Sequence, residues 1–392
     1  MQNIEDDFRT IPVGPLGLVP LKSCSSMGTQ INDWIARWRK ERNKDFHELL
    51  SFSGYIKDNY IIPASTPRFG SGEAKGTIES SVRGYDVYIL VDVLNHSLTY
   101  SLCGMVNHMS PDDHFADLKR VIAAIGGKAT RVNVIMPFLY ESRQHKRNGR
   151  ESLDCAMALQ ELVRMGVNSI ITFDAHDARV QNAIPLHSFE NVPCIYQFVK
   201  AIVRVMPDIE FDKDKLMIIS PDEGGTSRAI YYANHLGVDM GMFYKRRDYT
   251  KIIDGKNPII AHEFLGSDVT GQDVIIVDDM ISSGDSMLEV ARELKRRKAR
   301  RVICVSTFGL FTNGLAKFDS AYEDGVFDFL LTTNLTYQSP ELLSRKYYVS
   351  VDMNKYIAMI IDHLNHNISL HSLLNPTKRI NNLLERHLKE KQ

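Results

Sequence analysis

The sequence predicts an α/β protein of two related lobes, each a mostly parallel β-sheet flanked by helices. Two observations carry that prediction. From about residue 52 short apolar runs alternate with helical patterns, which implies a parallel sheet covered on both faces. The chain also repeats itself in order: Gly84-Tyr85-Asp86-Val87-Tyr88-Ile89-Leu90-Val91-Asp92 parallels Gly271-Gln272-Asp273-Val274-Ile275-Ile276-Val277-Asp278-Asp279. Arg131–Ile135 then parallels Arg301–Val305, and Gly166-Val167 before Ile170-Ile171-Thr172 parallels Gly325-Val326 before Leu330-Leu331-Thr332.

Residues 1–50 read as an N-terminal extension, a Pro/Gly stretch followed by an amphipathic helix around Ile31–Arg42. Trp34 and Trp38 sit one turn apart on it, and docking onto the body of the protein is its simplest use. Strands are expected at Val87–Val91, Val132–Met136, Ile170–Phe173, Met217–Ile219, Val274–Val277, Val302–Thr307 and Phe329–Leu331. Helical patterns between them include Leu153–Met165, Thr226–His235 and Met287–Arg297. The first lobe is expected over residues 51–190 and the second over 191–345, with a C-terminal helical segment over 346–392.

Composition narrows the function. The chain of 392 residues is 44% hydrophobic and 24% charged, ordinary for a globular protein. A net charge of -1 supplies no global field toward nucleic acid or anionic membrane, so any polyanion site must be local. The five cysteines are scattered and lack CxxC spacing, which argues against a disulfide framework or a structural zinc and fits a reducing cytoplasm. No apolar run is long enough to span a membrane.

The richest chemistry lies at Asp278-Asp279-Met280-Ile281-Ser282-Ser283-Gly284-Asp285-Ser286. It follows a buried strand, and ligands in open α/β sheets bind beyond the carboxyl ends of such strands. Two adjacent carboxylates there can accept hydrogen bonds from vicinal ribose hydroxyls. Ser282, Ser283 and Gly284 offer hydroxyls and approachable backbone N–H groups, and a helix starting near Ser286 favours a phosphate at its N-terminus. The plainer alternative is a helix cap with Asp285 or Ser286 as N-cap. The corresponding stretch of the first lobe, Val93-Leu94-Asn95-His96, has no such loop, so a different ligand is expected there.

This segment resembles the phosphoribosyl-pyrophosphate loop of phosphoribosyltransferases and ribose-phosphate pyrophosphokinases, and other segments select the second family. Arg68-Phe69-Gly70-Ser71-Gly72-Glu73 resembles its arginine-phenylalanine-serine-aspartate-glycine-glutamate segment, and Arg143-Gln144 within Pro137–Arg147 resembles its nucleotide loop. Thr172-Phe173-Asp174-Ala175-His176 is similar to its metal-binding histidine segment, and Ser220-Pro221-Asp222-Glu223-Gly224-Gly225 to its serine-proline-aspartate motif. Lys245-Arg246-Arg247 matches its catalytic basic triplet, and Thr307–Phe311 resembles the strand end of its second lobe.

The resemblance implies two phosphoribosyltransferase-like lobes, nucleotide on the first and ribose 5-phosphate on the second. It implies transfer of pyrophosphate from Mg-ATP to the anomeric hydroxyl of ribose 5-phosphate, giving 5-phosphoribosyl 1-pyrophosphate and AMP. Lys245 and Arg247 become the catalytic pair; Phe69, Glu73, Arg143 and Gln144 ATP-binding; Asp278, Asp279, Ser282, Ser283, Gly284, Asp285 and Ser286 sugar-phosphate-binding; and His176 and Asp222 residues of the Mg2+ site. A homo-oligomer is also implied, with neither nucleic acid nor membrane as partner. By residues alone Arg143 suits a solvated loop better than a nucleotide site, a lone histidine such as His176 is more often structural than a metal ligand, and Lys245–Arg247 is either a cationic loop able to close over phosphates or a basic surface or partner patch. Gly70–Thr77 is no Walker A loop, because its lysine does not directly precede Ser or Thr.

The sequence departs from the family at Ser71, His145 and Ser282, each in place of an aspartate, at Asp285 in place of a glycine, and at Phe308 in place of a histidine. Ser282 offers no carboxylate, and Asp285 brings negative charge to the phosphate loop unless it turns outward. Alternative readings are a non-catalytic regulatory paralogue that binds nucleotide or sugar phosphate, and a phosphoribosyltransferase.

Overall fold

The computed structural model describes residues 8, 10–45, 54–247 and 259–390, which form two compact units. The first comprises Met1–Pro193, Leu335–Tyr337 and Asp352–Asn375; the second comprises Cys194–Asn334, Gln338–Val351 and Pro376–Gln392.

In the first unit the strands are β1 (Leu16–Pro20), β2 (Ala64–Ser65), β3 (Thr77–Ile78), β4 (Asp86–Leu90), β5 (Thr99–Leu102), β6 (Met105–His108), β7 (Arg131–Ile135), β8 (Ser169–Phe173) and β9 (Ser188–Val192). The main sheet runs β1-β4-β7-β8-β9, parallel throughout, while β2-β3 and β5-β6 are separate antiparallel pairs. Helices α1 (Ser25–Asp45), α2 (Pro111–Ile125) and α3 (Asp154–Arg164) accompany it. Every residue of β4 and β8 is buried, as expected of strands covered on both faces.

β1 lies in the stretch read from sequence as an extension, yet it pairs residue for residue with Asp86–Leu90. Pro12, Pro15 and Pro20 disguise it, and an edge strand tolerates proline. Next, α1 does dock: Ile31 and Ile35 are fully buried, and Arg39, also fully buried, donates from Nε and NH2 to Asp362 Oδ1 at 3.0 and 2.9 Å. Its NH2 also reaches Asn365 Oδ1 at 2.7 Å, and Arg42 takes the other carboxylate oxygen at 2.6 Å. A buried charge is tolerable only when paired in this way, and the pairing ties α1 to the helix Asn354–Asn365.

The second unit adds β10 (Leu216–Ser220), β11 (Asp239–Arg247), β12 (Ile259–Leu265), β13 (Asp273–Ile281), β14 (Arg301–Gly309), β15 (Phe329–Thr333) and β16 (Tyr348–Val351). Their order is β12-β11-β10-β13-β14-β15-β16, with only β11-β12 antiparallel. Helices α4 (Ile195–Val205), α5 (Thr226–Leu236), α6 (Asp285–Arg296) and α7 (Ala316–Glu323) follow the expected alternation.

The internal repeat is a repeat of contacts. In the first unit Arg131 forks onto Asp86 (Nε to Oδ1 2.9 Å, NH2 to Oδ2 2.7 Å); in the second Arg301 forks onto Asp273 (3.0 and 2.6 Å). The N–H of Val132 donates to Asn168 Oδ1 at 2.9 Å, and that of Val302 to Asp328 Oδ2 at 2.8 Å. Gly84 and Gly271, both at positive φ, donate to Lys128 and Lys298 carbonyls at 3.1 and 2.9 Å. β1-β4-β7-β8-β9 and β10-β13-β14-β15-β16 are thus the same five-strand frame. Among the described residues no helix is long and apolar enough to cross a membrane.

Candidate functional site

In the second unit β10, β11 and β13 run parallel, so their carboxyl ends share one edge. Asp278 and Asp279 lie within β13, two and three residues beyond the last point where it pairs with β10. Asp279 is buried and Asp278 is partly exposed. Arg228, on α5, brings NH1 to 3.5 Å from Asp279 and 3.8 Å from Asp278. Removal from water, and next the charge of Asp279, hold the Asp278 carboxyl well above the ordinary carboxylate range; Arg228 offsets this only partly.

The loop Ser282–Gly284 follows. Gly284 is the N-cap of α6 at φ 82° and, as a glycine, brings no capping side chain of its own. The cap expected of Asp285 or Ser286 is therefore absent: Asp285 is the first helical residue. The N-terminus of this twelve-residue helix carries the backbone N–H groups and positive dipole end that favour an anion, and the Asp285 N–H lies 3.5 Å from Ser283 Oγ. Asp285 turns to Ser283 Oγ (2.9 Å) and Lys317 Nζ (2.6 Å), and Lys317 holds its carboxyl below the ordinary range. Ser282 lies beside Thr312, with hydroxyls 3.4 Å apart, and its carbonyl accepts the Thr312 N–H at 3.0 Å. Phe308 is buried in the core rather than presented to a ligand.

On the neighbouring strand end, Asp222 Oδ1 accepts the Gly225 N–H at 3.1 Å, and Ser220 Oγ donates to the Asp222 carbonyl at 2.7 Å. Gly225 is required by close approach: a Cβ there would lie 2.8 Å from Ser220 Oγ. Lys245 and Arg247 end β11, opposite His262 and Ile259 of β12; their side chains lie outside the described residues.

In the first unit Phe69 and Glu73 sit on a tight turn. The Phe69 N–H donates to the Glu73 carbonyl at 2.7 Å, and the Gly72 N–H to the Phe69 carbonyl at 2.9 Å. Arg68 anchors the turn to α2 through a two-pronged pair with Asp117 at 2.6 and 3.0 Å, which leaves the Phe69 ring 56% exposed. Ser71 donates to Glu73 at 2.9 Å. Arg143 is exposed, whereas Gln144 spends its amide donors on the Lys146 and Ser152 carbonyls at 3.2 and 2.8 Å, closing its own loop. No hydrogen bond among the described residues joins Phe69 or Glu73 to Arg143 or Gln144.

His176 is exposed beyond β8, its ring edge-on to His145 with centroids 5.3 Å apart. His145 Nδ1 lies 3.0 Å from Asp177, which Arg179 also grips. Arg179, through its hydrogen bond, holds Asp177 below the ordinary range, while burial lowers His145. Thus the histidine that replaces a family aspartate is itself backed by one. Sequence reasoning missed Arg228, Arg179 and Lys317 as neighbours of these sites; only folding brings Arg228 and Lys317 to residues more than thirty positions away.

Among the described residues no three His, Cys, Asp or Glu side chains gather as a metal cage. Magnesium does not require one: it keeps several waters and binds through one or two carboxylates plus substrate phosphates. Asp222 fits that demand, since its Oδ2 carries no hydrogen bond among the described residues.

Known proteins agree with this division. A profile described as the N-terminal domain of ribose phosphate pyrophosphokinase matches residues 38–166, and one described as a phosphoribosyl transferase domain matches residues 193–344. The ribose-phosphate pyrophosphokinase of Wolinella succinogenes is 30% identical over 332 residues, covering 82% of this chain and 95% of that protein. That of Vibrio cholerae is 27% identical over 318 residues, covering 80% and 91%. The crystal structure of phosphoribosylpyrophosphate synthetase from Mycobacterium smegmatis has the same fold, with TM-score 0.69 at 19% identity over 90% of this chain and 99% of that one. With both units matched in order and nearly the whole length of a 30% identical relative covered, the chain belongs to the ribose-phosphate pyrophosphokinase family.

Proposed function

We propose that this chain transfers pyrophosphate from Mg-ATP to the anomeric hydroxyl of ribose 5-phosphate, releasing AMP. The observation that carries the proposal is the glycine-led start of α6 directly after the paired carboxylates of β13, in a chain of this family. Under it, the ribose hydroxyls donate to Asp278 and Asp279, and the 5-phosphate accepts from the loop Ser282–Ser286. Phe69 supplies an exposed ring for the base, with Glu73, Arg143 and Gln144 as polar partners. The anomeric oxygen attacks the β-phosphorus in line, its bond forming as the bond to the AMP oxygen breaks. Such chemistry depends on positioning and on cations at the transferring group, the role assigned to Lys245 and Arg247. Asp222 and His176 are the residues proposed for magnesium, which when bound neutralises polyphosphate charge. A homo-oligomer is proposed from family membership.

The test is purified full chain with ATP, magnesium and ribose 5-phosphate. Sugar-dependent AMP formation is expected. No such AMP across a wide range of magnesium and inorganic phosphate refutes the reaction, and tight ribose 5-phosphate binding without turnover would instead support a regulatory paralogue.

A further inference from the structure

The geometry points to Lys317 as a binding residue for the sugar 5-phosphate, a second wall of the loop supplied by α7. This rests on the proposed ribose 5-phosphate site and adds a residue to it. The loop Ser282–Gly284 is held on one side by the segment that follows β14. Thr312 meets Ser282 through backbone and hydroxyl, and Phe311 packs edge-on against Phe318 with centroids 5.2 Å apart. The Phe318 ring lies where a Gly284 Cβ would be. Lys317 is thereby carried to the first turn of α6, where its Nζ meets Asp285 Oδ1 at 2.6 Å.

That ion pair is poor folding glue. The Lys317 and Asp285 side chains are 51% and 55% exposed, and exposed pairs add little stability. Its location gives it another use. A sugar phosphate at the α6 N-terminus carries nearly two negative charges near neutral pH, and Asp285 would repel it. Lys317 cancels that repulsion. An ammonium has three donors on a flexible stem, so Lys317 can keep Asp285 with one and reach a phosphate oxygen with another. Backbone N–H groups and a lysine approaching from the next helix would then grip the phosphate from two sides.

The experiment is calorimetric titration of ribose 5-phosphate into the full chain and its Lys317→Met, Lys317→Arg, Asp285→Asn and Asp285→Asn/Lys317→Met variants. Unphosphorylated ribose is the control ligand, and thermal unfolding is measured alongside. Lys317→Met is expected to weaken ribose 5-phosphate about tenfold, the loss of one charge-assisted contact, with ribose binding and unfolding temperature unchanged; Lys317→Arg should restore most of the affinity. The tenfold loss should persist in the Asp285→Asn background. If it vanishes there, Lys317 merely neutralises Asp285 and the proposal falls. Equal affinity of wild type and Lys317→Met also overturns it while leaving the site standing, whereas failure of the wild type to bind ribose 5-phosphate overturns the site itself.

Discussion

Replacing Gly284 by alanine tests the architecture of the phosphate loop more sharply than removing any polar group. Gly284 has φ 82°, and an added Cβ would overlap the Phe318 ring, itself 1% exposed. The left-handed conformation costs an L-residue about 1–2 kcal/mol, and forcing a methyl into a packed site about 1–3 more. Gly271 of the same unit is the control, for at φ 75° its Cβ would meet nothing within 4 Å, so Gly271→Ala carries only the backbone cost. At roughly 2–4 °C per kcal/mol for a unit of this size, Gly284→Ala should lower the unfolding midpoint of the second unit by roughly 4–20 °C. Gly271→Ala should lower it by about 2–8 °C. Calorimetry reads the midpoints, and hydrogen exchange of α6 and α7 locates the damage. If the loop swings away from Phe318 to relieve the overlap, ribose 5-phosphate affinity should fall more than tenfold even where the midpoint shift is small. Equal midpoints and equal affinities for the two variants would show that Gly284 is not clamped as described.

The first unit should be acid-labile through His366. Burial lowers its pKa to about 4, and its neutral ring donates from Nδ1 to the Asp362 carbonyl (2.7 Å) while Nε2 accepts from Tyr55 (3.0 Å). Because the unfolded ring gains its proton first, between about pH 6.5 and 4, stability is complete above that window and falls by roughly 3 kcal/mol through it. Asp362, lowered to about 2 yet buried between Arg39 and Arg42, loses its contribution only at still lower pH. Both tryptophans, Trp34 and Trp38, lie on α1 of this unit, so fluorescence-detected urea unfolding reads it directly; His366→Asn should flatten the slope, and an unchanged slope contradicts the assignment. Sugar binding should carry the opposite signature of a raised carboxyl: hydroxyls donating to both carboxylates favour ionised Asp278, so ribose 5-phosphate affinity should rise with pH and binding should release a proton, seen as a buffer-dependent calorimetric heat. Affinity flat with pH would mean that the hydroxyls do not use Asp278. Lys245→Ala should abolish turnover but spare ribose 5-phosphate binding, and parallel loss of both would argue against a role confined to the transferring group.

The strands that a sequence reveals here are those buried on both faces: Val87–Val91, Ile170–Phe173 and Val302–Thr307 lie where expected, within a residue or two, and Val274–Val277 lies inside a strand that runs on four residues to Ile281. β1 escaped because prolines flank it and its partner lies seventy residues away, and β12 because an antiparallel edge strand lacks a continuous apolar run. The two helical segments read as additions are woven in: Arg39 and Asp362, 323 positions apart, close one buried ion pair. The loop Ser282–Ser286 stood out as a run of small and acidic residues, but the fate of Asp285 was not legible, since it depends on Lys317 arriving from another helix.

The duplicated frame explains why chemistry differs between lobes whose scaffolds agree. The Asp86–Arg131 and Asp273–Arg301 forks lie at the amino ends of their strands, and both lobes keep them because they hold the sheet together. At the carboxyl ends no such constraint applies. There β4 gives way to Asp92, a buried carboxylate whose oxygens accept the N–H groups of Leu94 and Tyr337, used up by structure. The equivalent β13 runs on through Asp278 and Asp279, with the Arg228 guanidinium 3.8 and 3.5 Å away. Burial lifts Asp92 as well, to about 7, but its oxygens already accept backbone N–H groups and have little left for a ligand, whereas Asp278, raised beside a second acid, gains when hydroxyls are brought to it. The same strand end therefore serves folding in one lobe and carries the proposed sugar site in the other.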